Sequence, residues 1–211
     1  SGNFVWAKNM GGLSTCAGRS IAVDYSGNVY TTGGFTGTID FDPDTGIYNL
    51  SSAGSGDIFI SKLDSLGNFV WAKNMGGGSD SEIGHSIAID SLGNVYSTGH
   101  FSGTADFDPG SAMFNLNSSG YRDIFVSKLD ASGNFLWAKG MGGTGYEEGL
   151  SIAVGKAGNV YTTGEFSGTV DFNPDIGIFN LTSTGSKDIF LCKLDSSGNF
   201  IWAKQMGFRK K

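Results

Sequence analysis

Side chains that could perform chemistry are few in this chain. The two histidines, His85 and His100, lie near its middle, and an adjacent carboxylate pair, Glu147 and Glu148, follows later. Histidine is the most common general acid–base, but neither histidine lies in a nucleophile-elbow or zinc-binding motif. Neighbouring residues of an extended strand point to opposite faces, so we do not expect the two glutamates to share one catalytic cleft.

Aspartates recur three times in alternating order, in the segments that contain the following residues: Asp40, Asp42 and Asp44; Asp106 and Asp108; Asp171, Asn173 and Asp175. Alternating oxygen atoms of this kind can bind calcium, which takes about six to eight oxygen ligands. However, the glycine and distant glutamate of an EF-hand loop are missing, and the second segment lacks a third ligand. The same residues also fit a strand that ends in an Asp-Pro turn and returns as a short hairpin arm. We therefore expect no cofactor, with calcium at these residues as the alternative.

These residues belong to a repeat of about 65 residues, a period typical of repeat architectures. The sequence Gly-Asn-Phe-aliphatic-Trp-Ala-Lys occurs four times and contains all 4 tryptophans: Trp6, Trp71, Trp137 and Trp202. The repeat predicts four segments: the outer strand of a preceding unit (1–12), a first unit (13–77), a second (78–143) and a third with a basic tail (144–211).

Each repeat is predicted to form four β-strands. In the first repeat, strand a covers 20–24, strand b 29–33, strand c 57–64 and strand d 69–73. Alternating apolar residues, β-branched residues and glycine turns are typical of antiparallel hairpins, and no useful helical period appears. One such sheet cannot bury both of its faces, so neighbouring sheets must cover it. Phe69, Trp71 and their equivalents are expected to pack between adjacent sheets. We expect an all-β β-propeller of three four-stranded antiparallel blades plus one extra N-terminal strand at 4–8. Three blades are too few for a closed ring, so this would be an incomplete ring, part of a larger or oligomeric propeller.

The repeat resembles a known family. Asp-x-x-Gly-Asn-Val-Tyr-x-Thr-Gly (24–33), Gly-Thr-x-Asp-Phe-Asp-Pro (37–43) and Asp-Ile-Phe-x-x-Lys-Leu-Asp with Gly-Asn-Phe-x-Trp-Ala-Lys (57–73) are similar to the SBBP β-propeller repeat of bacterial secreted and surface proteins. The third copy departs from this pattern where Gly155 and Lys156 replace the aspartate before the first turn. The resemblance implies a propeller fold and a secreted or cell-surface location, and it implies no particular activity.

Composition excludes several classes of function. A net charge of −6 disfavours binding to nucleic acid or to an anionic membrane, both of which favour a basic surface. No apolar run is long enough to span a bilayer. The 2 cysteines form no CxxC pair, which argues against a redox or Cys-based zinc site.

The loops that differ between copies are the candidates for function, because recognition residues concentrate on loops held by a constant scaffold. These are the b-to-c segments and the d-to-a loops at 13–19, 78–85 and 144–150. Binding residues predicted there or beside them are Arg19, Glu82, His85, His100, Tyr146, Glu147 and Glu165. We expect a non-catalytic extracellular scaffold that presents this face to a protein or glycan. The alternatives are a hydrolase or lyase at the propeller mouth and a calcium-rigidified spacer in a surface adhesin. Further blades, from the same longer chain or a second copy, are the expected structural partners.

Overall fold

The structure, a computed structural model, describes residues 2–77 and 81–207. Those residues form β-strands joined by turns and loops, and among them no helix is long and apolar enough to cross a membrane. The first repeat contains β1 (Cys16–Val23), β2 (Val29–Phe35), β3 (Thr38–Asp40), β4 (Asn49–Ser51), β5 (Asp57–Leu63) and β6 (Phe69–Gly77). The second contains β7 (Ile83–Ile89), β8 (Val95–Phe101), β9 (Thr104–Asp106), β10 (Asn115–Asn117), β11 (Asp123–Leu129) and β12 (Phe135–Gly143). The third contains β13 (Glu148–Val154), β14 (Val160–Phe166), β15 (Thr169–Asp171), β16 (Asn180–Thr182), β17 (Asp188–Leu194) and β18 (Phe200–Met206).

The four long strands of each repeat pair in sequence order as an antiparallel meander, as predicted. These meanders are β1-β2-β5-β6, β7-β8-β11-β12 and β13-β14-β17-β18, and we call them units 1, 2 and 3. The third strand of units 1 and 2 is buried along nearly its whole length, because it is central in its own sheet and is covered on its faces. The all-β prediction is therefore confirmed for the described residues.

The short hairpins connect each unit to the one before it. The hairpin β9–β10 extends the sheet of unit 1, where Gly76 and Gly77 at the end of β6 pair with Asp106 and Ala105. The hairpin β15–β16 extends unit 2 through β12 in the same way. A Cβ on Gly77 would lie 2.1 Å from the carbonyl oxygen of Thr104, so the close approach of the two strands requires glycine there. The Gly-Gly pairs at the ends of β6 and β12 are thus part of the contact between units.

The apolar core lies between successive units. One cluster combines Tyr30, Ile58 and Trp71 of unit 1 with Ile87 and Phe125 of unit 2. The Trp71 indole also donates a hydrogen bond to the carbonyl oxygen of Ala131 in unit 2, at 3.3 Å. The tryptophans therefore pack between units, which confirms the packing role expected from the sequence.

First strands of adjacent units also contact each other directly. The backbone N–H of Ile152 in β13 donates to the hydroxyl oxygen of Ser86 in β7, at 3.2 Å. A corresponding bond of 3.4 Å joins Ile87 to Ser20 of β1. Because each first strand is bonded to the next, the sheets are held together along one side.

The predicted extra N-terminal strand at 4–8 is wrong. Residues 2–10 form no strand, and only Gly11 makes an isolated bridge, to Asp40 of the first hairpin. A fourth strand needs a third strand of its own unit as hydrogen-bond partner, and residues 2–3, the described residues before it, do not supply one. Nevertheless, the Trp6 indole lies 3.2 Å from the Cβ position of Gly67, much as Trp71 lies 3.3 Å from that of Gly133. The side chain therefore occupies the position of a preceding fourth strand although the backbone does not form one.

Candidate functional site

The meander topology gives each unit two different edges. One edge, which we call the constant edge, carries the tight turns between the first and second and between the third and fourth long strands. There a carboxylate accepts backbone hydrogen bonds, as when Asp64 accepts from Leu66 and Asn68, both at 2.8 Å. Gly155, which departs from this pattern, keeps its turn through a backbone bond to Asn159 of 2.9 Å. The opposite edge, the variable edge, carries the longer connections.

At the variable edge, two histidines meet between units 2 and 3. His85 occupies the bulge position of β7, where the register with β8 shifts, and His100 lies in β8 opposite Ile83. The shift turns the His85 ring towards that of His100, and Nε2 of His85 lies 3.1 Å from Nδ1 of His100. One of these nitrogens must carry the proton that the other accepts.

A carboxylate from unit 3 faces both rings. Glu148, the first residue of β13, places its oxygens 3.9 Å from Nε2 of His85 and 3.7 Å from Nδ1 of His100. Burial, with a smaller contribution from the Arg122 charge, lowers the pKa of His100 to about 3. Burial also lowers the pKa of His85, although Glu148 opposes this shift. Both imidazoles are therefore neutral near pH 7.

Arg122 and two tyrosines complete the group. Arg122, just before β11, forms an isolated backbone bridge to Tyr146, two residues before β13. Its guanidinium donates a charge-assisted hydrogen bond to Glu148. Tyr121 and Tyr146 stack with ring centroids 4.8 Å apart and an interplanar angle of 1°, and the Arg122 guanidinium lies 6.0 Å from the Tyr146 ring centre. The tyrosine side chains are 65% and 46% exposed, so this aromatic pair faces solvent. We call His85, His100, Arg122, Glu148 and the two tyrosines the unit 2–3 cluster.

The corresponding place between units 1 and 2 is a cavity. It has a volume of about 140 Å³ and is lined in part by Ala17, Gly34, Gly56 and Ile83. In the repeat register, Gly34 takes the place of His100 and Gly56 that of Arg122. The cavity between units 1 and 2 is open because glycines stand there, whereas the side chains of the unit 2–3 cluster fill the equivalent space between units 2 and 3.

Buried carboxylates lie behind the cluster. Glu147 is fully buried, and Oε2 accepts a 3.1 Å hydrogen bond from the backbone of Gly143, whereas no described group bonds to Oε1. Burial raises the pKa of Glu147 to about 7, and the charge of Asp123 contributes to the shift. Burial likewise raises the pKa of Asp123 to about 6. These groups carry a desolvation cost in their charged form.

The structure brings most of the predicted binding residues to the variable edge. His85, His100 and Tyr146 are in the unit 2–3 cluster, and Arg19 lines the cavity between units 1 and 2. Glu165 takes the place of His100 in unit 3, where it pairs with Lys187. The remaining two, Glu82 and Glu147, are 1% and 0% exposed, and Glu82 lines the same cavity as Arg19.

Sequence reasoning missed Arg122, Tyr121 and the separate role of Glu148. Of these, Arg122 could have been noticed from the sequence, because the same repeat position in unit 1 holds Gly56. The prediction that Glu147 and Glu148 point to different surroundings agrees with their different hydrogen-bond partners.

The aspartates of the short hairpins act as acceptors of backbone hydrogen bonds. Oδ1 of Asp40 accepts from Asp42 at 3.0 Å and from Tyr48 at 2.8 Å. The same pattern occurs at Asp106 and Asp171. Lys139 pairs with Asp175 at 2.8 Å, and Lys8 pairs with Asp44. These contacts agree with the hairpin alternative, and calcium binding at these residues stays a prediction.

Comparison with known proteins supports the repeat assignment. Residues 6–33 and 70–103 match the SBBP family model, described as a beta-propeller repeat. An uncharacterised WD repeat-containing protein of Acanthamoeba polyphaga mimivirus is 30% identical over 231 residues, which cover 97% of this chain and 16% of that protein. The regulatory protein FlaEY of Caulobacter vibrioides is 27% identical over 202 residues, covering 94% of this chain and 20% of that protein.

The chain thus spans 16% and 20% of the length of these curated relatives. Among solved structures, a protein of unknown function from Bacteroides caccae aligns with 90% of this chain and 81% of its own, at 11% identity and a TM-score of 0.30.

Proposed function

We propose that this chain, which contains β-propeller repeats of the SBBP family, is a non-catalytic interaction module that presents its variable edge to a protein partner. The observation that carries the proposal is the solvent-facing stack of Tyr121 and Tyr146 with Arg122 beside it. Tyrosine and arginine are enriched among the residues that contribute most to protein–protein binding. The strands behind this edge form a rigid scaffold, because the four long strands of each unit are hydrogen-bonded to one another. The first strands are also bonded from one unit to the next.

The alternative of a hydrolase or lyase receives less support from the geometry. A general acid or base must reach its substrate. His100 is 1% exposed and Glu147 is fully buried, and Glu165 belongs to another unit, where Lys187 pairs with it. The names of the two curated relatives refer to a repeat and to regulation, and neither states a reaction.

The test compares surface tyrosines on opposite edges. Tyr25 lies fully exposed in the turn after β1, at the constant edge, and serves as the matched control. The purified chain and its Tyr121→Ala, Tyr146→Ala and Tyr25→Ala variants would be used to recover binding proteins from the source organism and to probe a glycan array. We expect a protein partner that binds the wild type and Tyr25→Ala at least about tenfold more tightly than the other two variants. Equal binding by all four proteins would contradict the proposal, and a glycan as the ligand would correct the partner class.

We further propose that another propeller unit covers unit 3. Ile58 and Ile124 are fully buried in units 1 and 2, but the equivalent Ile189 is 51% exposed. Met75 is 2% exposed, whereas the equivalent Met206 is 53% exposed. A following unit would cover this apolar surface, as units 2 and 3 cover the equivalent surfaces of units 1 and 2. That unit comes from further blades of the same longer chain or from a second copy, so the three blades are part of a larger or oligomeric ring.

Light scattering distinguishes the two sources of that unit. A discrete dimer that Ile189→Asp converts to monomer would support a second copy. The control is Ile47→Asp, because Ile47 is exposed on the first short hairpin. Both sources would be contradicted if the chain is a well-folded monomer and does not bind the adjoining repeats of a longer chain when these are added.

A secreted or bacterial cell-surface location is also proposed, on the basis of the resemblance to the SBBP repeat. Protease treatment of intact cells tests it, because an external protein is digested whereas an internal protein is protected. If the hairpin aspartates bind calcium, the same module would serve as a rigid spacer in a surface adhesin.

A further inference from the structure

We propose that the unit 2–3 cluster contains a binding site for a divalent transition metal of the zinc class, formed by Nε2 of His85, Nδ1 of His100 and the carboxylate of Glu148. This inference goes beyond the interaction module and does not depend on it. The three residues are the group of metal-ligating side chains, within the described part of the chain, whose ligand atoms all lie within 4.8 Å of one another.

The distances between ligand atoms fit such a metal. Zinc binds histidine nitrogen and carboxylate oxygen at about 2.0–2.2 Å, so ligand atoms on a tetrahedron around it lie about 3.3–3.5 Å apart. Here the two nitrogens are 3.1 Å apart, Oε1 of Glu148 lies 3.7 Å from Nδ1 of His100, and Oε2 lies 3.9 Å from Nε2 of His85. Because each oxygen is near a different nitrogen, a carboxylate that binds through both oxygens, or that rotates to bring one oxygen towards both nitrogens, would close the site.

The surroundings of the ligands are also those of a metal site. Arg122 donates to Oε1 of Glu148 and so holds the carboxylate from outside, as residues behind the ligands of metal sites commonly do. His100 is 1% exposed and no described group bonds to its Nε2, so its one hydrogen bond, to His85, is all that holds a costly buried imidazole. Coordination would replace that bond with a stronger interaction.

Ligand type and charge select the class of metal. Two imidazoles and one carboxylate suit zinc, nickel or copper, whereas calcium and magnesium require mainly oxygen ligands. The side chains of His85 and Glu148 are each 17% exposed, so a fourth ligand can approach from solvent at the variable edge.

The site is particular to one pair of units. In the repeat register, Arg19 and Leu150 take the place of His85, Gly34 and Glu165 that of His100, and Ala17 and Ile83 that of Glu148. No other pair of units in the described chain therefore repeats the ligand set. The repeats themselves supply control positions with the same backbone.

The experiment measures zinc binding to the chain after treatment with a chelator, by calorimetry and by competition with a chromophoric chelator. We expect one zinc ion per chain, a higher melting temperature with zinc, and X-ray absorption that shows two imidazole ligands. His85→Gln and Glu148→Gln should each weaken zinc binding by at least about tenfold. The control Glu165→Gln changes a glutamate at the His100 position of unit 3 and should leave the affinity unchanged.

His85 and Glu148 are the primary test positions because their side chains are partly exposed and each variant is isosteric or nearly so. Circular dichroism of each variant verifies the fold before titration. A folded wild type that binds no zinc would overturn the proposal. Binding that His85→Gln and Glu148→Gln leave unchanged would overturn it as well, since the ion would then be elsewhere. Zinc binding as expected, together with equal partner binding by the wild type and the tyrosine variants, would count against the interaction module alone.

Discussion

Asn74 donates a hydrogen bond from Nδ2 to Oδ2 of Asp57 at 3.0 Å, and this contact links the last strand of unit 1 to the beginning of its third strand. In unit 3, Gln205 makes the same contact with Asp188 at 2.9 Å. In unit 2, Gly140 stands at the position of Asn74 and provides no donor. Oδ1 of the equivalent Asp123 consequently has no partner among the described residues, although the side chain is 3% exposed.

A donor at position 140 should therefore stabilise the chain. A Cβ on Gly140 would lie 3.4 Å from the Phe101 ring, an ordinary contact, so the backbone at this position accepts a side chain. We expect the free energy of unfolding in urea at pH 7 to rise by about 1 kcal/mol, the usual contribution of one hydrogen bond. The reciprocal variant Asn74→Gly should lower it by about 1–3 kcal/mol, because it leaves Asp57 short of a donor. A destabilised Gly140→Asn would show that Asp123 does not limit stability.

Asp123 should also make stability depend on pH. Burial raises its pKa from 3.8 to about 6 in the folded chain, so the folded state binds this proton more tightly than the unfolded state. The resulting stabilisation is complete below about pH 4 and is lost as the pH rises through about 6. The urea midpoint of the wild type should fall as the pH rises across that range, and the midpoint of Asp123→Asn should fall less. Parallel curves for the two proteins would contradict the raised pKa. Glu147, whose pKa is also raised, retains part of the pH dependence in the variant.

The tryptophans offer a test of the contact between units. Trp71→Phe keeps an aromatic ring but removes the 3.3 Å hydrogen bond to Ala131, and we expect a loss of about 1 kcal/mol or more in the free energy of unfolding. Trp202 holds the same position in unit 3, where the described residues include no further unit to pack against it. Trp202→Phe should therefore have a clearly smaller effect in the same urea titration. Equal losses at the two positions would indicate that the tryptophans stabilise their own unit instead.

The hairpin aspartates test the choice between hydrogen-bond acceptor and calcium ligand. Oδ1 of Asp106 accepts from Asp108 at 3.0 Å and from Phe114 at 2.8 Å. Asp106→Asn retains this acceptor and should leave the melting temperature nearly unchanged, whereas Asp106→Ala should cost about 1–3 kcal/mol. The same melting curves in calcium and in chelator decide the metal question. A rise with calcium that Asp106→Asn abolishes would establish the ligand role, and identical curves would exclude it.

Much of the fold could be predicted because the same local sequence pattern occurs in all three repeats. Alternating apolar residues and the Asp-x-x-Gly-Asn turns specify hairpins through hydrogen bonds within a single unit. The prediction of a strand at 4–8 was wrong for the same reason, since this pattern forms a strand beside the third strand of its own unit, and the described residues before it include no such strand. The first strands also begin earlier than predicted, at Cys16 and Glu148, which lie within the expected loops 13–19 and 144–150.

The sequence by itself determined the repeat, the antiparallel strands, the position of the tryptophans between units and the edge on which variable residues lie. Only the tertiary structure decided which of those residues meet. His85 and His100 come from unit 2 and Glu148 from unit 3, and the contact between them depends on a bulge in β7 and on the packing of one unit against the next. Local hydrogen bonding follows from nearby residues, whereas contacts between units depend on how whole sheets are stacked, and that is not encoded in any single spacing along the chain.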